Sequence, residues 1–245
     1  MRIAAVGDLH CTRDSAGSLR PLLAAASEAA DAIALCGDLT DHGLAEEADV
    51  LAAEVGAASV PIVAVLGNHD HEAGDGAGVG ERLAQAGVTM LERDSVEIAD
   101  VGFAGTKGFA GGFGVHALGA WGEGPIKAFV QAAIDEELAL EAGLARLRTP
   151  HKVAVLHYSP IRSTVEGEPE AIHAWLGSSR LEEPIDRYDV TAVVHGHAHY
   201  GSLEGRTRGG VPVYNVARPL LEHRGEPRGF RVIDVPSSAS DGADR

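Results

Sequence analysis

Residues 1–10, Met1-Arg2-Ile3-Ala4-Ala5-Val6-Gly7-Asp8-Leu9-His10, run from a short apolar segment through a glycine into an acid and a histidine two positions apart. The arrangement recurs four times downstream. Residues 32–35 lead into Gly37-Asp38-Leu39-Thr40-Asp41, and residues 61–66 into Gly67-Asn68-His69-Asp70. Residues 152–156 lead into His157-Tyr158, and residues 190–194 into Gly196-His197-Ala198-His199. Short apolar runs closed by turn signals read as buried strands. Helical spacing fills the intervals. Residues 18–30 place Leu22, Leu23 and Ala26 behind a Ser18 cap, and residues 44–57 are rich in Ala and Glu and end near Gly56. Strands alternating with helices imply a mainly parallel sheet with helices on its faces. Loops at the ends of neighbouring parallel strands converge, so five such loops can build one site.

The rest of the chain extends this pattern. Residues 79–86 read as a short helix, and 88–105 as two or three short strands near 88–91, 95–98 and 102–104. Residues 125–147 read as a long helix closed by Pro150. Residues 190–194, 211–216 and 230–235 are further strands, expected in a second sheet packed on the first. The glycine-rich stretch 105–124 interleaves Phe109, Phe113 and Trp121. A loop this long is functional or disordered, and its aromatics favour an ordered flap. The Ser-, Asp- and Ala-rich tail, 236–245, is expected to be disordered. At 245 residues the chain reads as one domain over 1–235.

The ligand-capable side chains at these strand ends are Asp8, His10, Asp38, Asn68, His157, His197 and His199. A lone Asp at a strand end is usually a turn former, and a lone His there is usually a hydrogen-bonded core residue. Together they are enough for two metal ions with one carboxylate between them. Two ions about 3.5–4 Å apart form a device for hydrolysing phosphate esters. Asp8 and His10, leaving one strand two residues apart, can reach the same ion.

The blocks Asp-x-His, Gly-Asp-x-x-Asp, Gly-Asn-His-Asp, a lone His and Gly-His-x-His occur in that order from Asp8 to His199. The chain thereby resembles the calcineurin-like metallophosphoesterases. The resemblance implies an α/β sandwich of two mixed β-sheets packed face to face, flanked by helices, with a dinuclear metal site at the strand ends. It implies one metal on Asp8, His10, Asp38 and His199, a second on Asn68, His157 and His197, and Asp38 bridging both. Imidazole and carboxylate together suit Mn, Fe, Zn, Ni or Co, and the lack of thiolate clusters argues against structural zinc. The resemblance further implies His69 as general acid, oriented by the Asp41 side chain. A carboxylate beside an imidazole raises its pKa and fixes its tautomer, as a proton donor near neutral pH requires. The implied reaction is in-line hydrolysis: a hydroxide bridging the metals attacks phosphorus and His69 protonates the departing alkoxide. Asp70 is expected to be a loop or capping residue.

One position departs from part of that family. Its protein Ser/Thr phosphatases continue Gly-Asp-x-x-Asp with Arg-Gly, and the guanidinium grips phosphate bidentately. Here the continuation is His42-Gly43. The chain is more similar to the small bacterial phosphodiesterases of the superfamily, since a diester carries one negative charge and needs less cationic grip. The alternatives are a phosphomonoesterase or protein phosphatase on the same fold, and a non-catalytic binding module. The last is disfavoured because every implied ligand, His69 and Asp41 are intact. The expected partner is a small-molecule phosphate ester, with nucleotides among the options and a homodimer among the possible assemblies. Candidate substrate contacts are His42, Lys107, His116 and Tyr158, with Arg162 and Arg180 as further options. Trp121 and Trp175 are expected in the core or at a subunit interface.

Composition sets the remaining bounds. A net charge of −16 argues against a general nucleic-acid binder, which needs a basic face. No apolar run approaches the roughly 18 residues of a membrane span. The N-terminus enters a strand directly rather than forming a signal peptide, so the expected location is the cytoplasm. The two cysteines, Cys11 and Cys36, fit a reducing compartment. Cys36 is expected to be a small buried hydrophobe and Cys11 a bystander in the first loop.

Overall fold

The computed structural model describes residues 1–92 and 94–236. The strands are β1 (Arg2–Val6), β2 (Ala32–Cys36), β3 (Ile62–Val65), β4 (Val88–Met90), β5 (Ser95–Ile98), β6 (Val101–Thr106), β7 (His151–Leu156), β8 (Ala192–His195), β9 (Glu204–Arg206), β10 (Pro212–Asn215) and β11 (Arg231–Asp234). They form two sheets, ordered β11-β1-β2-β3-β4 and β5-β6-β7-β8-β10-β9. In the first, β1, β2, β3 and β4 run parallel. In the second, β6, β7, β8 and β10 run parallel, while β5 and β9 are antiparallel edges.

Strand side chains alternate between faces, and both faces of each sheet are covered. Ala4, Val6, Ile33, Leu35, Ile62 and Ala64 point to one side of the first sheet. There they meet α1 (Arg20–Ala29), α2 (Ala45–Val55) and α3 (Gly76–Gln85) through Leu23, Leu51, Val79 and Leu83. Ile3, Ala5, Ala34, Val63 and Val65 point the other way, onto Val101, Phe103, Val153, Val155 and Val194 of the second sheet. The far face of that sheet packs on α4 (Gly124–Arg146) and α5 (Glu182–Arg187) through Leu140, Leu144 and Ile185. The result is a helix–sheet–sheet–helix sandwich. Double-sided burial explains why these strands read as continuous apolar runs rather than alternating ones. Leu23, Leu51 and Leu83 are fully buried, so truncating any one to alanine costs about 2–5 kcal/mol.

Local chemistry sets the helix starts. Pro21 and Pro125 occupy the first turns of α1 and α4, where a missing N–H costs nothing. Glu54 on α2 accepts the N–H groups of Gly17, Leu19 and Arg20 and the Arg20 guanidinium. It satisfies donors that α1 leaves open. Among the described residues no helix is long and apolar enough to cross a membrane.

One expectation changes. The strand at 231–234 joins the first sheet, antiparallel to β1, and not the second. There it covers the β1 edge and places Ile233 between the sheets. An open edge exposes unpaired backbone, and sequence spacing does not say which sheet a returning strand will close. The glycine-rich stretch divides. Gly111 and Gly112 are tied to Ala174, Gly177 and Ser179 by backbone hydrogen bonds. Beyond them, Val115 and Trp121 are 94% and 72% exposed. The expected tail lies outside the described residues from 237 onward.

The C-terminal ends of both parallel sets meet at one seam. Gly7 N–H donates to Val216 at 2.9 Å, Asp8 N–H to Gly37 at 2.9 Å, and Gly196 N–H to His157 at 3.2 Å. Further from the seam, Glu92 links the sheets. It pairs with Gly105 across a short bridge and accepts the Leu66 N–H at 2.5 Å.

Burial pushes the Glu92 carboxyl up to about 7. The folded chain therefore holds this proton to higher pH than the unfolded chain, which releases it near 4.5. The associated stability is present below the lower value and is lost as pH rises through the upper one. Between pH 5 and 8 the wild type should lose on the order of 2 kcal/mol more stability than Glu92→Gln. Urea unfolding at both pH values checks this, and equal pH slopes would show that Glu92 ionises normally.

Candidate metal centre

Backbone conformation aims the candidate ligands. Asp8, His10, Asp38 and His197 have φ of 58°, 46°, 47° and 70°. This left-handed region is costly for residues with a Cβ. Such strain persists where surrounding structure enforces it and clusters at functional sites. Only Ala99 and Asp189 share it among the other described non-glycine residues. Two glycines clear the space. A Cβ on Gly67 would lie 2.1 Å from Asp38 Oδ1, and one on Gly196 would lie 2.4 Å from Asp8 Oδ2.

The side chains form linked clusters. Asp8, His10 and His199 bring one ligand atom each within 4.8 Å of one another, as do Asp38, His157 and His197. His10 and Asp38 meet again with His69, which joins the two groups. Asp8 and Asp38 are each 2% exposed. The Asp8 carboxylate accepts the His197 N–H and lies 2.9 Å from His199 Nε2. The Asp38 carboxylate accepts the His69 N–H at 2.8 Å and lies 3.3 Å from His157 Nε2. His157 Nδ1 donates to the Cys36 carbonyl at 2.9 Å, which turns Nε2 toward Asp38 and toward Asn68 Oδ1 at 2.9 Å. All seven candidate ligands expected from the sequence are therefore brought together.

Electrostatics follow from burial and pairing. Burial alone would lower His157 and raise Asp38, but each stabilises the other's charge. His157 rises to about 9, and Asp38 falls well below the usual carboxylate range. Burial and the His157 charge push His197 down to about 3. Burial opposes charge on His199, yet the Asp8 hydrogen bond raises it. Two buried carboxylates beside four imidazoles form a donor set suited to borderline divalent ions. His10 Nδ1 is buried and makes no hydrogen bond of good geometry, although Asp41 Oδ1 lies 3.1 Å away. The donor set, with the cradle cleared at Gly67 and Gly196, fits metal ligation.

His69 borders the centre, its ring 4.7 Å from that of His10. Its Nδ1 donates to the backbone carbonyl of Asp41 at 2.6 Å. The residue that orients His69 is thus the expected one, but the group is the carbonyl and not the carboxylate. The Asp41 carbonyl faces the His69 ring while its carboxylate lies against His10 and His42.

The expected substrate contacts scatter. His42 is exposed and clasped by Asp41 and Glu72, each at 3.3 Å. Tyr158 is buried, its ring tilted against that of His197 with centroids 4.3 Å apart. Lys107 is mostly buried. Its ammonium donates to the Gly108 carbonyl, lies 3.8 Å from Glu136 and sits over the Phe109 and Tyr158 rings. His116 lines a separate cleft with Phe113, Arg162 and His173. Arg162 and Arg180 pair with Glu170 and Glu137. Trp175 is 59% exposed rather than in the core, and its carbonyl lies 3.3 Å from His197 Nε2.

Several buried polar residues escaped the sequence reading. Asp70 is fully buried and accepts Leu39 N–H, Thr40 N–H, Thr40 Oγ1–H and Gly67 N–H at 2.6–3.1 Å. It locks the loop carrying Asp38 to the loop carrying Asn68. Asn215 donates to the Ala198 carbonyl at 2.8 Å and accepts the Ala217 N–H. His195 donates to the Gly196 carbonyl and bonds Thr164. Both brace the loop holding His197 and His199. For His195 and Asn215 the available signal was a polar residue ending an otherwise apolar strand; Asp70 lies in a short helical turn and offered none.

Two outcomes test this architecture. Asp70→Ala should weaken Mn binding to metal-stripped protein by about 10–100-fold and cost about 3 kcal/mol in urea unfolding. Unaltered affinity would show that the loops hold without it. Separately, an ion entering the cluster must displace the His157 proton, so affinity should climb from pH 6.5 to 9 and then level. In the metal-free protein the Asp38–His157 pair stabilises below about 6.5, the ordinary histidine value, and fades as pH rises through 9. Calorimetry in two buffers of different ionisation heat counts the proton, and none released at pH 7.5 would contradict a charged His157.

Comparison with known proteins agrees with this geometry. No curated protein matches the chain. Among solved structures, the phosphopantetheinyl hydrolase of Mycobacterium tuberculosis superposes with a TM-score of 0.66 at 15% identity, covering 96% of each chain. A Thermus thermophilus protein gives 0.52 at 18% identity, covering 96% of this chain and 99% of its own. The yellow lupin (Lupinus luteus) purple acid phosphatase gives 0.54 at 15% identity, covering 97% of this chain and 46% of its own. These likenesses concern the fold. The family model described as calcineurin-like phosphoesterase matches residues 1–201, and with two-thirds of the molecule and more inside that match, the chain belongs to the calcineurin-like phosphoesterases.

Proposed function

We propose that this protein hydrolyses small-molecule phosphodiesters, using two metal ions on the seven strand-end side chains. The observation that carries the reading is the pair of clusters sharing a seam, Asp8–His10–His199 and Asp38–His157–His197. Asp38 stands between them, and Asn68 adjoins the second through His157. When bound, the ions supply Lewis-acid polarisation of the phosphoryl oxygens and a nucleophile from water. The chain's own residues do the rest. The Asp41 carbonyl holds the His69 Nδ1 proton, so Nε2 is the atom that delivers a proton to the departing oxygen. The Cys36 carbonyl does the same for His157, leaving its Nε2 for the ion.

Charge around the centre supports a diester over a monoester. Position 42 carries a histidine clasped by two carboxylates, Asp41 and Glu72. A doubly charged phosphoryl group would meet those acids without a guanidinium to offset them. A singly charged diester meets less repulsion.

Metal-stripped protein should be inactive on matched p-nitrophenyl mono- and diesters, and Mn should restore cleavage with the diester preferred. A monoester preference would move the reading to a phosphomonoesterase. No turnover by protein carrying two ions would remove the hydrolase reading. His69→Ala should retain both ions while kcat falls about 10²–10⁴-fold on esters of poor leaving groups, and less for p-nitrophenolate. A loss independent of leaving-group pKa would contradict the general-acid role.

A further inference from the structure

His199 forms one wall of a cleft of about 290 Å³ whose other lining residues are Tyr200, Leu220, His223 and Arg224. That volume is at the small end for ligand sites. It suits one arm of a ligand whose other end lies on the ions. Leu220 is buried beneath it. Tyr200 is 60% exposed and stacks on His223, with ring centroids 5.3 Å apart and planes 23° from parallel. Arg224 directly follows α6 (Arg218–His223).

An arginine just past a helix end commonly folds back on the last carbonyls or pairs with a nearby acid. The Arg224 guanidinium does neither. Its backbone N–H bonds Leu220 and Glu222, and its side chain has no partner among the described residues. Two acids near the cleft are engaged elsewhere. Glu222 is held by Arg218 at 2.7 Å, and Glu168 accepts the Tyr200 N–H at 2.8 Å. In a chain with 36 acidic and 20 basic residues, Arg224 is an exposed guanidinium without a partner among the described residues, in a cleft shared with a candidate metal ligand.

We infer that this cleft is a subsite for a second anionic group on the ligand, a phosphate or carboxylate apart from the scissile phosphoryl. The planar guanidinium fork suits either group bidentately. The stacked Tyr200–His223 pair covers the atoms that link it to the phosphoryl, and Leu220 keeps the base of the cleft dry. The inference rests on the phosphoesterase reading only for the anchor at the ions.

The test uses metal-loaded full chain and three phosphonates that cannot be hydrolysed: methylphosphonate, propane-1,3-diphosphonate and 4-phosphonobutyrate. Calorimetry, corrected for binding of free ion by each probe, should show one or both two-headed probes binding at least about tenfold tighter than methylphosphonate. Arg224→Ala should abolish that advantage, Arg224→Lys should keep part of it, and added salt should shrink it. A larger gain for the diphosphonate would identify a second phosphate, and a larger gain for the phosphonobutyrate a carboxylate. An advantage that survives in Arg224→Ala, or none in the wild type, overturns the inference. Mn affinity of each variant, measured alongside, checks that His199 remains in place. Discrimination by Arg224 in a protein without turnover on p-nitrophenyl esters would remove the hydrolase reading and leave the subsite standing.

Discussion

The contact between Asp38 and His157 is the constraint on which the rest depends. One residue follows β2 in the first sheet and the other follows β7 in the second, and their charged atoms lie 3.3 Å apart, out of solvent. Taking a carboxylate out of water is expensive unless a cation or several donors attend it. Here His157 and the His69 N–H attend it. A buried ion pair contributes little net stability compared with a well-packed apolar pair. Its consequence is geometric: two sheets that could slide across a Val-, Ala- and Ile-rich interface are fixed at one edge. Asp8 repeats the device, reaching from β1 to the loop after β8 through the His197 N–H and His199. A sandwich fixed by buried carboxylates at one seam already concentrates negative charge where cations are needed.

Topology explains why the seam lies at this edge. Parallel strands all release their chain on the same side, so β1, β2 and β3 deliver three loops together, and β7 and β8 deliver two more. The loops then have to turn within a few residues to aim side chains across the seam. Left-handed conformations at Asp8, His10, Asp38 and His197 perform those turns. Gly67 and Gly196 allow backbone to approach within bonding distance of the carboxylates. Strain at the ligands is sustained by the braces behind them, with Asp70 under the first sheet's loops and Asn215 and His195 under the second's.

The alternation of strands and helices near the N-terminus and the candidate ligands were legible because both have local signatures. Apolar runs of four to six residues bounded by glycine mark strands wherever both sheet faces are covered, and chemistry-bearing residues sit at fixed offsets from the run's end. What was not legible depends on contacts distant in sequence. The edge taken by β11 is decided by which sheet has backbone left unpaired. Asp70 looks like a turn former in sequence because its donors, Leu39 and Thr40, lie some thirty residues earlier. Asp41 illustrates a subtler limit: the residue that meets His69 was identified, but local backbone geometry, not residue type, decides whether carbonyl or carboxylate faces the ring. Lys107 read as a candidate substrate contact in the flap, whereas Glu136, from a helix almost thirty residues on, lies beside its ammonium in the interior.

The histidine at position 42 bears on how this centre handles anions. An arginine there would be charged at any working pH. His42 owes its charge first to the Glu72 hydrogen bond and then to Asp41, which together raise its pKa while the ring stays exposed. Its positive charge is therefore conditional and is matched by the two acids that produce it. The trio offers a phosphoryl group no net cation, and grip on the substrate falls to the ions and to whatever else lines the approach. Arg224, beyond His199 on the far side of the first cluster, is free of such clasping acids. In a chain of charge −16, a guanidinium without an acid partner beside a candidate metal ligand is a feature of this cleft. Under the subsite inference, a ligand would be favoured when its two charges are spaced to meet both the ions and Arg224.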